Sequence, residues 1–260
     1  ISSELSCMRS NLLPNILSAI KKNINKNVVN FSFFELGPVF LGKEPNEQYD
    51  NICVVRSGKI NEKSWIDKER NLDFFDIKAD LSAVLNCLNI DINNLDILRQ
   101  SKPYYHPGKS ASLLISDQTV GFFGELSPVI LNSFDIKNQL VAFELNLTKL
   151  QKFYKNKEKS KNPLVASQYQ ASKRDFSFEI DKDVFSLEII KLIKNTDHKL
   201  IKDVKVFDSY EGEKINEKKK AVGFEVTIQS YEKTLTDNEI NEISENIISK
   251  VKKKYNAKLR

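Results

Sequence analysis

Apolar residues recur along this chain with two periods, and the change of period marks its elements. Leu12, Leu13, Ile16, Leu17, Ile20 and Ile24 fall at helical spacing, with Pro14 near the start, where a missing N–H is tolerated. Phe31–Phe40 reads as a strand ending in a Gly37-Pro38 bend, and residues 52–57 read as a second strand. Residues 74–77 lead into a helix with Leu81, Val84, Leu85 and Leu88 on one face. Residues 111–115 and 119–126 form a hairpin around Ser116-Asp117-Gln118, and residues 140–146 are another strand. Many strands with few helices predict a mixed or antiparallel sheet with helices packed on it.

Residues 151–162 interrupt this pattern. They are polar, lysine-rich and aperiodic apart from Phe153 and Tyr154, and they end at Pro163. A first domain is therefore expected over residues 1–150, a linker over 151–166 and a second domain over 167–260. In the second, Phe176, Phe178 and Ile180 alternate with Asp175, Ser177 and Glu179, the pattern of a strand with one buried face. Phe185, Ile189, Leu192 and Ile193 make a short amphipathic helix. Val204 and Val206 mark strand two, and Val222, Phe224, Val226 and Ile228 alternate along strand three. Thr236-x-x-Glu239 is a capping box, followed by the apolar stripe Ile240, Ile243, Ile247, Ile248 and Val251. Residues 257–260 give a short last strand. The order is β-α-β-β-α-β, a ferredoxin-like module, so the chain as a whole is α+β. Two crossover helices on one face leave the other sheet face open, as in RNA-binding sheets.

Composition narrows the function classes. At 260 residues the chain has room for two ordinary domains, and 40% hydrophobic with 29% charged residues is ordinary for a soluble protein. No apolar run of about 18 residues is present, so no transmembrane helix is expected. Ile1 is not a start methionine and no leader pattern follows it, so the chain reads as a piece of a longer protein. Cys7, Cys53 and Cys87 are far apart and are expected as three reduced, mostly buried thiols in a cytoplasmic protein. His106 and His198 share no ligand spacing with them, and no metal site is expected.

The net charge of +5 favours an anionic partner weakly, and its distribution says more. Residues 149–161 hold six lysines and one acid, and residues 250–260 hold six basic residues and no acid. Two readings stay open for both clusters: solvated surface, or phosphate contact with strongly salt-dependent binding.

No catalytic constellation emerges. His106-Pro107-Gly108 offers an imidazole without an orienting partner, and its flanking residues say turn. Asp73, Asp76 and Asp80 lack the glycine and terminal glutamate of a calcium loop and read as a solvated helix start. Trp65, Tyr104 and Tyr105 read as core or interface packing.

Eight blocks, in order along the chain, resemble one family. Residues 2–13 (SSELSCMRSNLL), 34–40 (FELGPVF), 105–111 (YHPGKSA), 121–128 (GFFGELSP) and 143–147 (FELNL) resemble the catalytic-like domain of the β subunit of bacterial phenylalanyl-tRNA synthetase. Residues 174–181 (RDFSFEID), 204–212 (VKVFDSYEG) and 221–240 (AVGFEVTIQSYEKTLTDNEI) resemble the ferredoxin-fold anticodon-binding domain that ends it. The resemblance implies an antiparallel class II synthetase-like first domain that is inactive and truncated at its N-terminus. It implies a non-catalytic chain without cofactors of its own, inside an α2β2 complex whose α subunit uses ATP and Mg. It implies phenylalanine tRNA and that α subunit as partners, and neither DNA nor a membrane.

Residue by residue, the resemblance carries two positions to the first anticodon base: Ser177 and Asp208. A carboxylate accepts hydrogen bonds from guanine N–H groups, and a small strand residue leaves room for a stacked base. Strict alternation, however, puts Asp208 on the face of Val204 and Val206, so the strand must twist or end there. Arg174, Phe207 and Tyr210 are secondary candidates for phosphate contact or stacking, with core packing the alternative for Phe207. Gln170 departs from the family, whose members usually place proline before the Arg-Asp pair. Class II enzymes carry an arginine after the strand resembling FELGPVF, to meet the ATP α-phosphate; here Leu41 stands there, and an aliphatic group stabilises no phosphoryl charge. Residues 143–147 likewise lack the glycine and arginine of the corresponding class II segment. Arg9 is assigned packing or an interface. Two other functions compete: an amino-acid-binding regulatory module of the same topology, and a pure assembly scaffold.

Overall fold

Strand β6 (Leu140–Asn146) shows how the first sheet is buried. Leu140 and Ala142 pack with one set of side chains, and Val141, Phe143 and Leu145 with another, so the strand is apolar on both faces. The computed structural model describes residues 7–61, 64–66, 68–154, 166–212 and 215–260. It divides into two compact units, Ile1–Lys161 and Asn162–Arg260.

In unit 1, α1 (Leu13–Ile24), β1 (Phe31–Phe40), β2 (Gln48–Ser57), α2 (Phe74–Cys87), β3 (Asp96–Leu98), β4 (Tyr105–Ile115), β5 (Gln118–Leu126), α3 (Pro128–Ser133), β6 and α4 (Leu147–Tyr154) follow one another. The strands form one six-stranded sheet in the order β1-β2-β6-β5-β4-β3, every pair antiparallel. Leu13, Ile16, Leu17 and Ile20 of α1 cover one face with Val55, Leu126 and Leu140. Ile77, Leu81 and Leu85 of α2 cover the other with Phe123, Phe143 and Leu150.

Several expectations need correction here. The Gly37-Pro38 pair does not bend β1: both residues stay in register, opposite Asn51 and Asp50. Proline is tolerated because β1 is an edge strand, where one row of N–H groups needs no partner. The hairpin loop is two residues, Ser116 and Asp117, both with positive φ, as a primed turn requires; Gln118 already belongs to β5. The stretch expected to be irregular from residue 151 begins as helix, since α4 runs through Tyr154. The rest of that stretch, Pro163 and the lysine cluster beyond residue 154 included, lies outside the described residues, as does the start of the block at 2–13.

The aspartates at the start of α2 are partnered rather than solvated. Asp73 caps Phe75 and Asp76 through their backbone N–H groups, at 2.8 and 3.3 Å. Asp76 is buried and takes both terminal nitrogens of Arg70 at 2.6 Å, which hold its carboxyl below the usual range. Asp80 receives Arg56 at 2.7 Å. Of the three cysteines, none in a disulfide, only Cys53 is buried; Cys7 and Cys87 are exposed, the latter at the end of α2.

Unit 2 runs β7 (Ser172–Asp181), α5 (Ser186–Lys194), β8 (Ile201–Tyr210), β9 (Lys219–Ile228), α6 (Asp237–Tyr255) and β10 (Lys258–Leu259). Its sheet order is β10-β7-β9-β8, all antiparallel. Phe176, Phe178 and Ile180 from β7 and Val222, Phe224 and Val226 from β9 meet Ile189 and Ile193 of α5 and Ile240, Ile243, Ile247 and Val251 of α6. Both helices therefore cover one face. The opposite face carries the other parity of each strand and no helix.

Candidate nucleic-acid interface

In unit 1 the residues singled out in the sequence divide between surface and packing. Leu41 is exposed directly after β1. Glu144 of β6 is buried and accepts the Tyr105 hydroxyl at 3.1 Å; burial raises its carboxyl above the ordinary range, against the hydrogen bonds from Tyr104 and Tyr105. Cys53 lies opposite Glu144 in the sheet, and burial pushes its thiol up. Arg9 pairs with Glu35 and donates from Nε to the Pro38 carbonyl at 2.9 Å, so it clamps β1. His106 sits in an excursion of β4, its Nδ1 accepting from the Gly108 N–H at 3.1 Å. Tyr105 is core, whereas Trp65 stands in solvent, and core packing is excluded for it.

These side chains do not fit ATP or magnesium. Leu41, exposed and aliphatic, offers no charge to a phosphate, and among the described residues no group of three or more His, Cys, Asp or Glu side chains is arranged to hold a metal. No chemical step is assigned to this unit. It does expose apolar surface: Phe34 and Leu36 on edge strand β1 are 74% and 61% exposed.

The open face of unit 2 gathers most of the sequence candidates. Between Val206 and Asp208 the β8–β9 register shifts: Val206 faces Phe224, and the next paired residue, Asp208, faces Gly223. Phe207 is the extra residue of a β-bulge, and a bulge resets the alternation of its strand. Asp208 therefore changes face and joins Gly223, whose neighbours Val222 and Phe224 are both buried in the core. Gly223 in turn faces Ser177 on β7. Ser177, Gly223 and Asp208 form a straight row across three strands of the open face. Asp208 makes no ion pair with any described residue.

The aromatic candidates border this row. Phe207 is 59% exposed and its ring lies over Gly223, where a methyl group would come within 2.8 Å of it. The core-packing alternative for Phe207 is thereby removed. Tyr210 faces Ala221 one row further on and turns its hydroxyl toward Gly212. Arg174 is not brought to the group. It shares the parity of Phe176, faces buried Val226, and donates from Nη1 to the Lys173 carbonyl at 3.1 Å. Gly223 was absent from the candidates read in the sequence. Its signal was there: a lone glycine inside an alternating apolar strand marks a close approach.

Around the row the face carries paired charges. Lys173 meets Glu225 at 3.0 Å and Lys219 approaches Glu179 at 3.9 Å. An aromatic ring over the centre, and beside it a carboxylate without an ion pair among the described residues, make a surface suited to a flat base with N–H donors.

Comparison with known proteins finds a family for each part of the chain. The family described as phenylalanyl tRNA synthetase beta chain CLM domain matches residues 1–147, and the ferredoxin-fold anticodon binding domain matches residues 167–260. The phenylalanine–tRNA ligase β subunit of Paramagnetospirillum magneticum is 36% identical over all of this chain and 33% of its own length. That of Rickettsia prowazekii is 34% identical over all of this chain and 32% of its own. The chain thus spans about a third of the length of the curated relatives it matches. A pyrrolysyl-tRNA synthetase structure from Desulfitobacterium hafniense overlays 57% of this chain and 50% of its own at 14% identity with a TM-score of 0.44, a likeness too loose to carry an argument. With residues 1–147 and 167–260 each matched and relatives of 34–36% identity covering the whole chain, the chain belongs to the phenylalanyl-tRNA synthetase β-chain family.

Proposed function

We propose that this chain is the tRNA-binding and assembly part of a phenylalanine–tRNA ligase. Unit 2 holds the anticodon region of phenylalanine tRNA against its open sheet face, and Ser177 and Asp208 read the first anticodon base. Unit 1 docks the catalytic α subunit through its exposed β1 surface within an α2β2 complex in the cytoplasm. ATP, magnesium and the acyl transfer belong to the α subunit.

The observation that carries this reading is the row Ser177–Gly223–Asp208. Gly223 lets the Phe207 ring lie over the centre of the row, and the small Ser177 side chain beside it leaves room for a base against that ring. The carboxylate at its end accepts from ring and exocyclic N–H groups, and the Phe207 ring beside it offers a stacking surface. No other arrangement among the described residues combines these features.

Binding of the intact chain to phenylalanine tRNA, alongside the same tRNA with its first anticodon base exchanged, tests the reading. Salt-sensitive binding that weakens on exchange is expected. Equal binding to both leaves only a scaffold with a basic surface. Thermal stabilisation by free phenylalanine without RNA would favour a regulatory module instead.

A further inference from the structure

The basic run at residues 250–260 divides between two sides of unit 2. Lys252, Lys253 and Lys254 lie in the last turn of α6, which covers the core side of the sheet. Lys258 and Arg260 lie on the opposite side. Lys258 faces Glu179 and Leu259 faces Phe178, and the Arg260 N–H donates to the Ser177 carbonyl at 2.9 Å. Leu259 packs against the core, so Lys258 and Arg260, both exposed, take the parity of the open face.

Arg260 therefore extends the row to a fourth strand: Arg260, Ser177, Gly223, Asp208. Lys258 extends the neighbouring row, which ends in Tyr210 on β8. The face is asymmetric. One border carries a carboxylate, the Phe207 ring reaches from that border over the Gly223 centre, and the other border carries two cations. Three inter-strand steps of about 4.8 Å separate the borders by roughly 14 Å between backbones. Side chains reaching inward from both leave a span on the scale of one nucleotide. A nucleotide has the matching asymmetry, a flat base with N–H donors at one end and a phosphate anion at the other. Neither cation is neutralised in an ion pair with a described residue.

We propose that Lys258 and Arg260 of edge strand β10 bind the backbone phosphate of the nucleotide whose base lies between Ser177 and Asp208. This rests on the anticodon reading above and adds to it a division of labour. The β8 border reads the base and the β10 border holds the backbone. The backbone hydrogen bond from Arg260 to Ser177 fixes the phosphate site at one strand spacing from the base site. The competing explanation is that charged residues on an edge strand merely prevent sheet-to-sheet association. That role would not move the salt dependence of RNA binding.

The experiment measures binding of the intact chain to a labelled anticodon stem–loop of phenylalanine tRNA, matched or with the first anticodon base exchanged, across a potassium chloride series. The double substitution Lys258→Ala/Arg260→Ala should lower affinity about tenfold for both RNAs. It should also reduce the logarithmic salt slope by about 0.7 for each phosphate no longer neutralised, with the matched-to-exchanged ratio kept. Asp208→Ala should do the reverse, losing the ratio and keeping the slope. Lys252→Ala/Lys253→Ala on α6 serves as the charge control and should leave the slope near that of the parent. Arg260→Lys, which keeps the charge, should retain the slope. A β10 double variant indistinguishable from the α6 control, with Asp208→Ala still losing discrimination, overturns the phosphate site and leaves the anticodon reading standing. An Arg260→Lys chain as impaired as the alanine variant also overturns it, since removal of charge is then not the cause. If the parent chain itself fails to discriminate the RNAs, both readings fall.

Discussion

Gly223 shows how one missing Cβ shapes the open face. A methyl group there would come within 2.8 Å of the Phe207 ring, so Gly223→Ala must push the ring aside. Because Phe207 is exposed, the displacement should cost little stability. It should weaken RNA binding several-fold, a fraction of the roughly 1–3 kcal/mol that stacking on an aromatic ring contributes. Unchanged RNA affinity in a normally melting Gly223→Ala chain would contradict a stacking role for Phe207. In unit 1 the residue of interest is Glu144. Burial holds its folded pKa above the ordinary 4.5, so the neutral form suits the fold. The stability it contributes is whole below 4.5 and is lost as pH rises through the raised folded value. Glu144→Gln should flatten this decline and melt higher at neutral pH; an unaltered pH profile of the melting temperature would speak against it. The parity of Arg174 was legible in the sequence, since it is spaced by two from Phe176, yet its place at the head of the conspicuous RDFSF block drew it into the candidate site. Ser177 was legible by the same rule.

Asp208 was not legible by parity, and the reason lies at the scale of the element. Alternation assumes one residue per step, and β8 spends two residues, Phe207 and Asp208, on the single partner Gly223. Nothing in VKVFDSYEG distinguishes a bulge from a regular strand, because the extra residue is visible only against β9. The Gly37-Pro38 pair misled for a similar reason: only the sheet order reveals that β1 is an edge, where proline fits. By contrast β7 and α6 were legible, because their burial follows period 2 and period 3.6 without interruption; β9 was legible from its alternating Val222, Phe224, Val226 and Ile228, although Ala221 and Gly223 beside them are buried as well. Capping fixes where α6 begins. The Thr236 hydroxyl accepts from the Glu239 N–H at 3.4 Å, and the Glu239 carboxylate receives the Thr236 N–H at 2.9 Å and pairs with Lys233. Thr236→Ala should destabilise unit 2 by about 1 kcal/mol, a melting shift of roughly 4–8 °C for a domain of this size. A shift below about one degree would mean that this box does not hold α6. The Glu239 carboxyl is lowered to about 2, chiefly by Lys233 and then by the Thr236 backbone, so its share of the cap persists at neutral pH and is lost only as acid approaches that value.

For the whole molecule, the two units divide the work by what each exposes. Unit 1 has a fully antiparallel sheet covered on both faces, and its exposed apolar side chains include Phe34 and Leu36 on the uncovered edge. Exposed apolar surface on an edge strand is a liability unless a partner covers it. Phe34→Glu with Leu36→Glu should abolish co-elution with the α subunit while leaving the affinity of the chain for tRNA within twofold; undiminished co-elution would place the α-subunit interface elsewhere. Unit 2 exposes a polar face with one aromatic border, the opposite character, which fits the proposed RNA partner. The account depends most on Asp208 reaching across the bulge to the first anticodon base. A double-mutant cycle measures this directly: Asp208 or Asp208→Ala, each against phenylalanine tRNA with the native or an exchanged first anticodon base. The account predicts a coupling of about 1–3 kcal/mol, the usual cost of removing a base-reading side chain. Additive losses, with no coupling between that carboxylate and that base, would contradict it.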